Sequence, residues 1–371
     1  AAHFLRFAEE ALSPQIGADQ ARWFALLAAD YDIFRAALRW TIDTGDAPTA
    51  IRLGGALWRF WYITERWTEG RGWLRAILVL PAQEADAALL QERAQVERGA
   101  GMLAVVQSDF APAHDHLQAA LALARRAGNT SLATRVLDNL AILARERGDY
   151  RAAIALHEEA LAAQREVGAA RDVAVTLTNL GLAYDAISDF RRAAACLDES
   201  LTLSRSVNDA YSVLIALVNL GGLLLYLGDY ARSRALSEEG LALARRQDNS
   251  FIAAMALLNL GAVARDQGEL TTALEAFREA LELIRPLDSG ARLARIFACL
   301  GNALRQSGDR DGAAAALAEA LAISGATGDR WSAILAYLYR GALAEDAGDR
   351  AAARADYREA LGQARALDRG G

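Results

Sequence analysis

A forty-residue stretch, Arg171 to Ala210, constrains this chain more than any other feature, because it returns in register along most of the sequence. Aligned on Asn179-Leu180-Gly181, the same slot reads Asn139-Leu140-Ala141, Asn219-Leu220-Gly221, Asn259-Leu260-Gly261, Cys299-Leu300-Gly301 and Tyr339-Arg340-Gly341. A second marker keeps the same step at Asp109, Asp149, Asp189, Asp229, Glu269, Asp309 and Asp349, and a third at Leu121, Leu161, Leu201, Leu241, Leu281, Leu321 and Leu361. A fixed period of this length belongs to a solenoid of stacked supersecondary units, each packed on its neighbours. The expected division is residues 1–88 as irregular, aromatic-rich helical pairs that cap the array, and residues 89–371 as seven forty-residue repeats.

Within the unit 131–170, the pattern predicts helix A from about Ser131 to Glu146, a stop at Arg147-Gly148-Asp149, and helix B from Tyr150 to about Val167. Glycine past a helix end and aspartate before the next are the stop and start signals. Connections this short set consecutive helices antiparallel, and the small residue in the Gly slot lets them approach closely. One hairpin cannot bury its own apolar face, so stacking must do it.

Upstream, the pattern predicts helices over about Ala2–Leu12 and Asp19–Ile42, separated by Ser13-Pro14-Gln15-Ile16-Gly17. The second places Trp23, Leu26, Leu27, Ile33, Phe34, Leu38 and Ile42 on one buried face. A further pair, Ala47–Ile63 and Trp67–Leu80, gathers Trp58, Phe60, Trp61, Tyr62, Trp67 and Trp73, which at helical spacing read as core. Pro81 and the polar run to Asp86 close this region.

Composition removes whole classes of chemistry. Every one of the 40 basic residues among 371 is arginine, with no lysine, so a Walker A phosphate loop, a Schiff base and an S-x-x-K nucleophile cannot be built. The net charge of −7, with both signs mixed along the chain, argues against a nucleic-acid footprint. No apolar run reaches the roughly eighteen residues of a membrane span. The start lacks the basic and apolar regions of a signal peptide and an initiator Met, so it reads as an excised fragment. Cys196 and Cys299 lie far apart in apolar segments, which suits reduced core thiols and a cytoplasmic setting. His114 and His116, two apart on a helix, do not face each other and make no zinc pair. His157, in a helix B slot otherwise filled by Leu117, Leu197, Phe277 and Leu317, reads as a packed histidine. No enzyme, metal or cofactor is expected.

At Leu180-Gly181-x-x-Tyr184, followed by Ala193 and Ser200-Leu201, the chain resembles the tetratricopeptide repeat. It has six residues more than the ordinary thirty-four and lacks the closing proline, and so is similar to the longer variety of kinesin light chains and bacterial signalling proteins. The resemblance implies an all-α, right-handed superhelical solenoid of antiparallel helix hairpins. A narrower likeness runs through Ala28–Leu38, Gly55–Trp61 and Trp67–Leu74, which resemble the segment after the winged helix in bacterial STAND regulators. Those are P-loop signalling ATPases, often transcription regulators, whose C-terminal array is the sensor. This implies a non-enzymatic binding sensor attached to an upstream ATPase module, with a free-standing protein- or peptide-docking scaffold as the alternative. The implied partner is a protein or peptide, with a small-molecule inducer as a further candidate.

In the proteins this array resembles, helix A lines the concave wall. That places Asn139, Asn179, Asn219 and Asn259 one above another, where each amide can hold a ligand peptide group or bond the neighbouring unit and fix the stacking. Both roles stay open. Sharing the face are Arg135 and Asp138, and the candidate ligand contacts Arg145, Asp185, Tyr226, Arg265, Asp266, Arg295, Asn302 and Arg305. Arg265 and Arg305 share a slot in consecutive units, about 10 Å apart, and could clasp an anion unless Asp266 or Glu269 pairs with them. Two stripes, Arg125 to Arg365 and Glu159 to Glu359, repeat every forty residues on helix B and read as scaffold or solvated face.

Overall fold

A computed structural model describes residues 5–6, 26–81, 87–287 and 290–368. Among them are seventeen α-helices and no strand. The first three are α1 (Tyr31–Asp43), α2 (Ala47–Ile63) and α3 (Trp67–Leu78). Seven helix pairs follow: α4 (Ala87–Val106) with α5 (Phe110–Arg126), α6 (Thr130–Glu146) with α7 (Tyr150–Glu166), α8 (Ala170–Ala186) with α9 (Phe190–Ser206), and α10 (Ala210–Tyr226) with α11 (Tyr230–Arg246). The last three are α12 (Ser250–Asp266) with α13 (Leu270–Ile284), α14 (Gly290–Ser307) with α15 (Arg310–Thr327), and α16 (Arg330–Asp346) with α17 (Arg350–Asp368). The fold class is all-α, a solenoid of antiparallel hairpins. It divides into two compact units, Ala1–Asp189 with Thr202–Ser212, and Phe190–Leu201 with Val213–Gly371.

The turns form as their residues dictate. Asp149 caps α7 by accepting from the Ala152 amide at 3.0 Å, and Gly148 before it takes φ 82°. At Ser108, Ser188, Asn208 and Asp248 the same left-handed slot is held without glycine. Helix α13 stops short and tightens into a 3-10 turn, Arg285–Leu287, because Pro286 has no amide hydrogen to continue the ladder.

The small slot on helix A is a seat for helix B. A Cβ on Gly101 would come within 2.7 Å of Leu117, on Gly261 within 2.6 Å of Phe277, and on Gly301 within 2.7 Å of Leu317. Sixteen residues after each slot, helix B therefore drives one side chain into the backbone of its partner helix. In the first unit, consecutive A helices α4, α6 and α8 also touch one another, and in the second so do α12, α14 and α16. One core runs through the first unit from Leu27 to Ala160, and another through the second from Leu214 to Ala316.

The segment expected as one helix from Asp19 behaves differently. A turn at Asp30 separates α1 from the helical residues before it. The buried stripe is Leu27, Tyr31, Phe34, Leu38 and Thr41, stepping by four, three, four and three. Leu26 and Ile33 fall off that stripe and are exposed, contrary to the sequence expectation. In α2, Trp58, Phe60 and Trp61 are core, whereas Tyr62 is exposed. Trp61 Nε1 donates to Tyr31 Oη at 2.8 Å, which ties α2 to α1. The expected helix Ala2–Leu12, the break at Ser13–Gly17, Trp23 and the polar run to Asp86 lie outside the described residues.

Candidate functional site

In the first repeat the position equivalent to the asparagine slot is Gly99. A Cβ there would meet Trp58 at 2.5 Å, so the indole of α2 lies against the α4 backbone. Arg98, the next residue toward the N-terminus, stacks its guanidinium 5.0 Å from the Trp58 ring. Its Nε donates to Asn139 Oδ1 at 2.7 Å and its Nη1 to Gln95 Oε1 at 3.2 Å. Both acceptors are neutral amides, so Arg98 carries no carboxylate.

Three more arginines are linked electrostatically along the neighbouring elements, Arg135 and Arg59 to Arg98 and Arg171 to Arg59. Arg135 on α6 donates to Ser131 Oγ at 2.8 Å and lies 3.3 Å from Asp172. Arg171 on α8 donates to Asp209 Oδ2 at 2.7 Å. Asp209 is itself fixed as it caps α10, accepting from the Ser212 amide at 3.3 Å and hydroxyl at 2.9 Å. Arg59 on α2 makes no hydrogen bond or ion pair among the described residues, although its head keeps contact with solvent.

The electrostatics follow from this crowding. Burial pushes the Arg98 guanidinium down to about 9, and Arg135 and Arg59 push the same way against Asp138 and Asp172. Desolvation also lowers Arg59, with Arg171 and Arg135 adding to it. The phenols of Tyr62 and Tyr211 are raised by burial, even though Tyr211 keeps 55% of its surface exposed. The face thus gathers guanidiniums beside two tyrosines, with Arg59, Tyr62 and Tyr211 exposed and Arg98 and Arg135 half-buried.

Three of the asparagines expected on this face reach the preceding repeat, forty-one residues back. Asn139 accepts from Arg98, Asn179 Nδ2 donates to Asp138 Oδ2 at 3.0 Å, and Asn259 Nδ2 donates to the Val218 carbonyl at 2.9 Å. Asn259 also lies over Gly222, where a Cβ would meet its Oδ1 at 3.2 Å. Asn219 is half-buried, as is Asp185 on the last turn of α8.

The other candidates sort into internal pairs. Arg145 bonds Glu146 at 2.9 Å, and Arg265 pairs with Asp266 at 2.7 Å. Arg305 holds Asp346 at 2.6 Å and donates to Asn302 Oδ1 at 3.2 Å. Arg295 donates to Tyr226 Oη at 3.2 Å, and the Tyr226 ring, 57% exposed, stacks on Phe190 with centroids 6.2 Å apart. Arg265 also approaches Cys299 and Tyr339; burial raises both of those groups, Tyr339 to about 12.

Arg59, Arg98, Tyr62 and Tyr211 were missed by sequence reasoning. The column Arg98, Asp138, Thr178, Val218, Leu258, Ala298 did carry a signal, since it passes from charged to apolar along the array. Arg59 and Tyr62 precede the regular period, where no column exists to mark them. The helix B stripes prove to pair between repeats, as Arg125 with Glu159 at 3.5 Å and Arg245 with Glu279. Such exposed pairs contribute little. Cys299 is buried and Cys196 half-buried, and both are free thiols. His116 lies 2.6 Å from Glu97. Among the described residues no group of three His, Cys, Asp or Glu could hold a metal, and no helix is long and apolar enough to cross a membrane.

Fold and face together define a class, the array of helix hairpins with a small-residue seat on helix A. The tetratricopeptide repeat family matches residues 92–166, 130–206 and 212–285, and the chain belongs to that family. No curated protein sequence matches it. Among solved structures it is similar to a Rap protein complexed with Competence and Sporulation Factor, at 14% identity and TM-score 0.67 over 94% of this chain and 100% of that one. It is similar also to the apo form of the quorum sensor NprR from B. thuringiensis, at 14% identity and TM-score 0.61 over 98% and 99% of the two chains. A Signal Transduction ATPase with Numerous Domains from Pyrococcus horikoshii, with a tetratricopeptide repeat sensor, shares 14% identity and TM-score 0.57. That likeness covers 89% of this chain and 52% of that one. At these identities the likeness is one of fold.

Proposed function

We propose that this chain is a non-enzymatic binding array that seats a protein or peptide partner on its helix A face. The observation that carries the reading is Arg59, an exposed guanidinium on α2 that makes no hydrogen bond or ion pair among the described residues. Scaffold roles use up most other charges on these helices, as at Arg265 with Asp266 and Arg305 with Asp346. A partner that supplies the counter-charge would gain a charge-assisted hydrogen bond there. The exposed ring of Tyr211 adds rigid apolar area in the first unit, and that of Tyr226 does so by itself in the second. Asn219, Asp185 and Arg295 are further contacts on this reading. Membership of the repeat family and the fold shared with a Rap protein bound to its factor support it.

The finer reading places the array as the sensor of a bacterial signalling ATPase or transcription regulator, in the cytoplasm. Its support is the fold shared with the sensor-bearing ATPase of Pyrococcus horikoshii. A free-standing docking scaffold is the other reading, and a P-loop in the polypeptide upstream of residue 1 would decide for the sensor.

Fluorophore-labelled hexapeptide pools, read by fluorescence anisotropy, test the binding face. Tyr211→Ser or Tyr226→Ser should weaken the tightest pool about tenfold, as for loss of an aromatic anchor, while Arg151→Gln on the exposed side of α7 leaves it unchanged. Equal loss from Arg151→Gln, or none from either tyrosine, would remove the helix A face from the account.

A further inference from the structure

We propose that the outward face of α1 is a self-association surface, on which two copies of this chain pair their first helices antiparallel, with Asp32 of each copy against Arg39 of the other.

The first observation is that α1 and the helical residues before it are apolar on two sides. The core stripe Leu27, Tyr31, Phe34, Leu38 and Thr41 is buried. On the far side of the same helix Leu26, Ala29, Ile33, Ala36 and Trp40 are exposed, Leu26 at 40%, Ile33 at 44% and Trp40 at 54%. These five step alternately by three and four, which makes a heptad seam with Leu26, Ile33 and Trp40 at the a positions and Ala29 and Ala36 at the d positions. The helical ladder runs on through the turn at Asp30, whose amide donates to the Leu26 carbonyl at 3.1 Å and whose carbonyl accepts from the Phe34 amide at 3.3 Å, so the five residues share one line.

The second observation is a contrast with the last helix. The end of a stacked array needs a polar outer face. Helix α17 has one: Arg354, Arg358, Glu359 and Arg365 are exposed, and Leu361 is the one large apolar side chain exposed among its described residues. Helix α1 instead turns an indole and an isoleucine outward.

The charges beside the seam select the occupant. Asp32 and Arg39 hold successive g positions. Arg39 is exposed and makes no hydrogen bond or ion pair among the described residues, and Asp32 has only an exposed contact with Arg35 at 3.4 Å. Antiparallel pairing of two identical helices brings g against g across a two-fold axis. In the register that layers Ala29 on Trp40 of the second copy and Ile33 on its Ala36, each Asp32 meets the Arg39 of the other copy. Every such layer sets a large side chain against a small one. Sliding one helix by a heptad brings Asp32 against Asp32, and parallel pairing stacks Trp40 on Trp40 and leaves both charges without a partner. A contact two heptads long belongs with small, reversible interfaces below about 1,200 Å², so the dimer should dissociate in the micromolar range.

Sedimentation velocity of the full chain, from about 1 to 200 µM, tests this. Monomer should pass to dimer as concentration rises. Ile33→Glu and Trp40→Glu, both at exposed positions, should hold the chain monomeric throughout with its helical circular dichroism unchanged, and Leu361→Glu should leave the dimer as it was. Asp32→Arg or Arg39→Asp alone should weaken association about tenfold, by setting like charges together. Asp32→Arg with Arg39→Asp in one chain should restore it, as should mixing the two single variants. A chain that stays monomeric overturns the proposal and leaves the seam to residues 7–25 or to another protein. A dimer that survives Ile33→Glu and Trp40→Glu uses a different face and overturns it as well. Failure of both charge exchanges to restore association overturns the antiparallel register.

Discussion

Asp138 and His157 face each other across the α6–α7 hairpin, with Nδ1 of the fully buried imidazole 2.7 Å from Oδ1 of a carboxylate that is 6% exposed. The carboxylate can only accept, so Nδ1 carries the proton. Asp138 Oδ2 accepts from Asn179 on the next A helix, and the three side chains join α6, α7 and α8. Three repeats along, the same pair of slots is Leu258 with Phe277, an apolar solution to the same packing. His157→Leu alone should therefore cost about 1–3 kcal/mol, because it strips one buried oxygen of its partner. Asp138→Val with His157→Leu should recover most of that loss. Urea denaturation of the four-member cycle checks it, and additive costs would mean that the pair is not coupled.

The seat for helix B makes a second prediction. Gly261→Ala would drive a methyl to within 2.6 Å of the Phe277 ring, which is fully buried and has nowhere to move. Overpacking of this kind costs about 1–3 kcal/mol. Phe277→Leu in the same chain should return part of it, by thermal denaturation. An unchanged midpoint in Gly261→Ala would show that the hairpin opens freely.

Ser188 ends α8 with φ 61° where most repeats carry glycine. The left-handed conformation costs a residue with a Cβ about 1 kcal/mol, offset in part by the greater freedom of glycine in the unfolded chain. Ser188→Gly should raise the melting temperature by a few degrees, as about 0.5–1 kcal/mol does. A lower midpoint would mean that the serine side chain contributes more than its backbone strain removes.

Asp209 titrates in a direction that can be read as stability. Burial alone would raise its carboxyl, but the bonds from Ser212 and the Arg171 guanidinium outweigh it and hold the group below the usual carboxylate range. A depressed folded pKa gives stability that is complete above about 3.9, the unfolded value, and is lost as pH falls through the folded one. Asp209→Asn should lower stability at pH 7 and flatten its decline below pH of about 4, measured by urea titration across pH. A decline identical to that of the unaltered chain would remove Asp209 as its source.

The hairpins were legible because each repeat writes its own punctuation: Gly148 and Asp149 end one helix and start the next as their chemistry requires. The small slot was legible as a close approach, and the structure adds which side chain fills it. The face was harder to read. Asn179 and Asn259 look alike in sequence, yet one donates to a carboxylate and the other to a backbone carbonyl, because position 138 is Asp and position 218 is Val. What one slot does is set by another forty-one residues earlier. Arg59 could not be found by period at all, since α2 precedes the regular repeats, and its importance lies in bonds it does not make. Leu26 and Ile33 misled because apolar residues on a short helix outnumber the positions its stripe can bury.

The central claim is that partners sit on the helix A row, and site-specific photo-cross-linking reads this directly. Benzoylphenylalanine is introduced at Tyr62, at Tyr211 or, on the exposed side of α7, at Ala162. Each protein is irradiated with the tightest-binding labelled hexapeptide pool, and the label is quantified on gels. Cross-links from positions 62 and 211, competed by unlabelled peptide, with none from 162, are what the account predicts. Label carried equally by position 162, or by 162 alone, would contradict it.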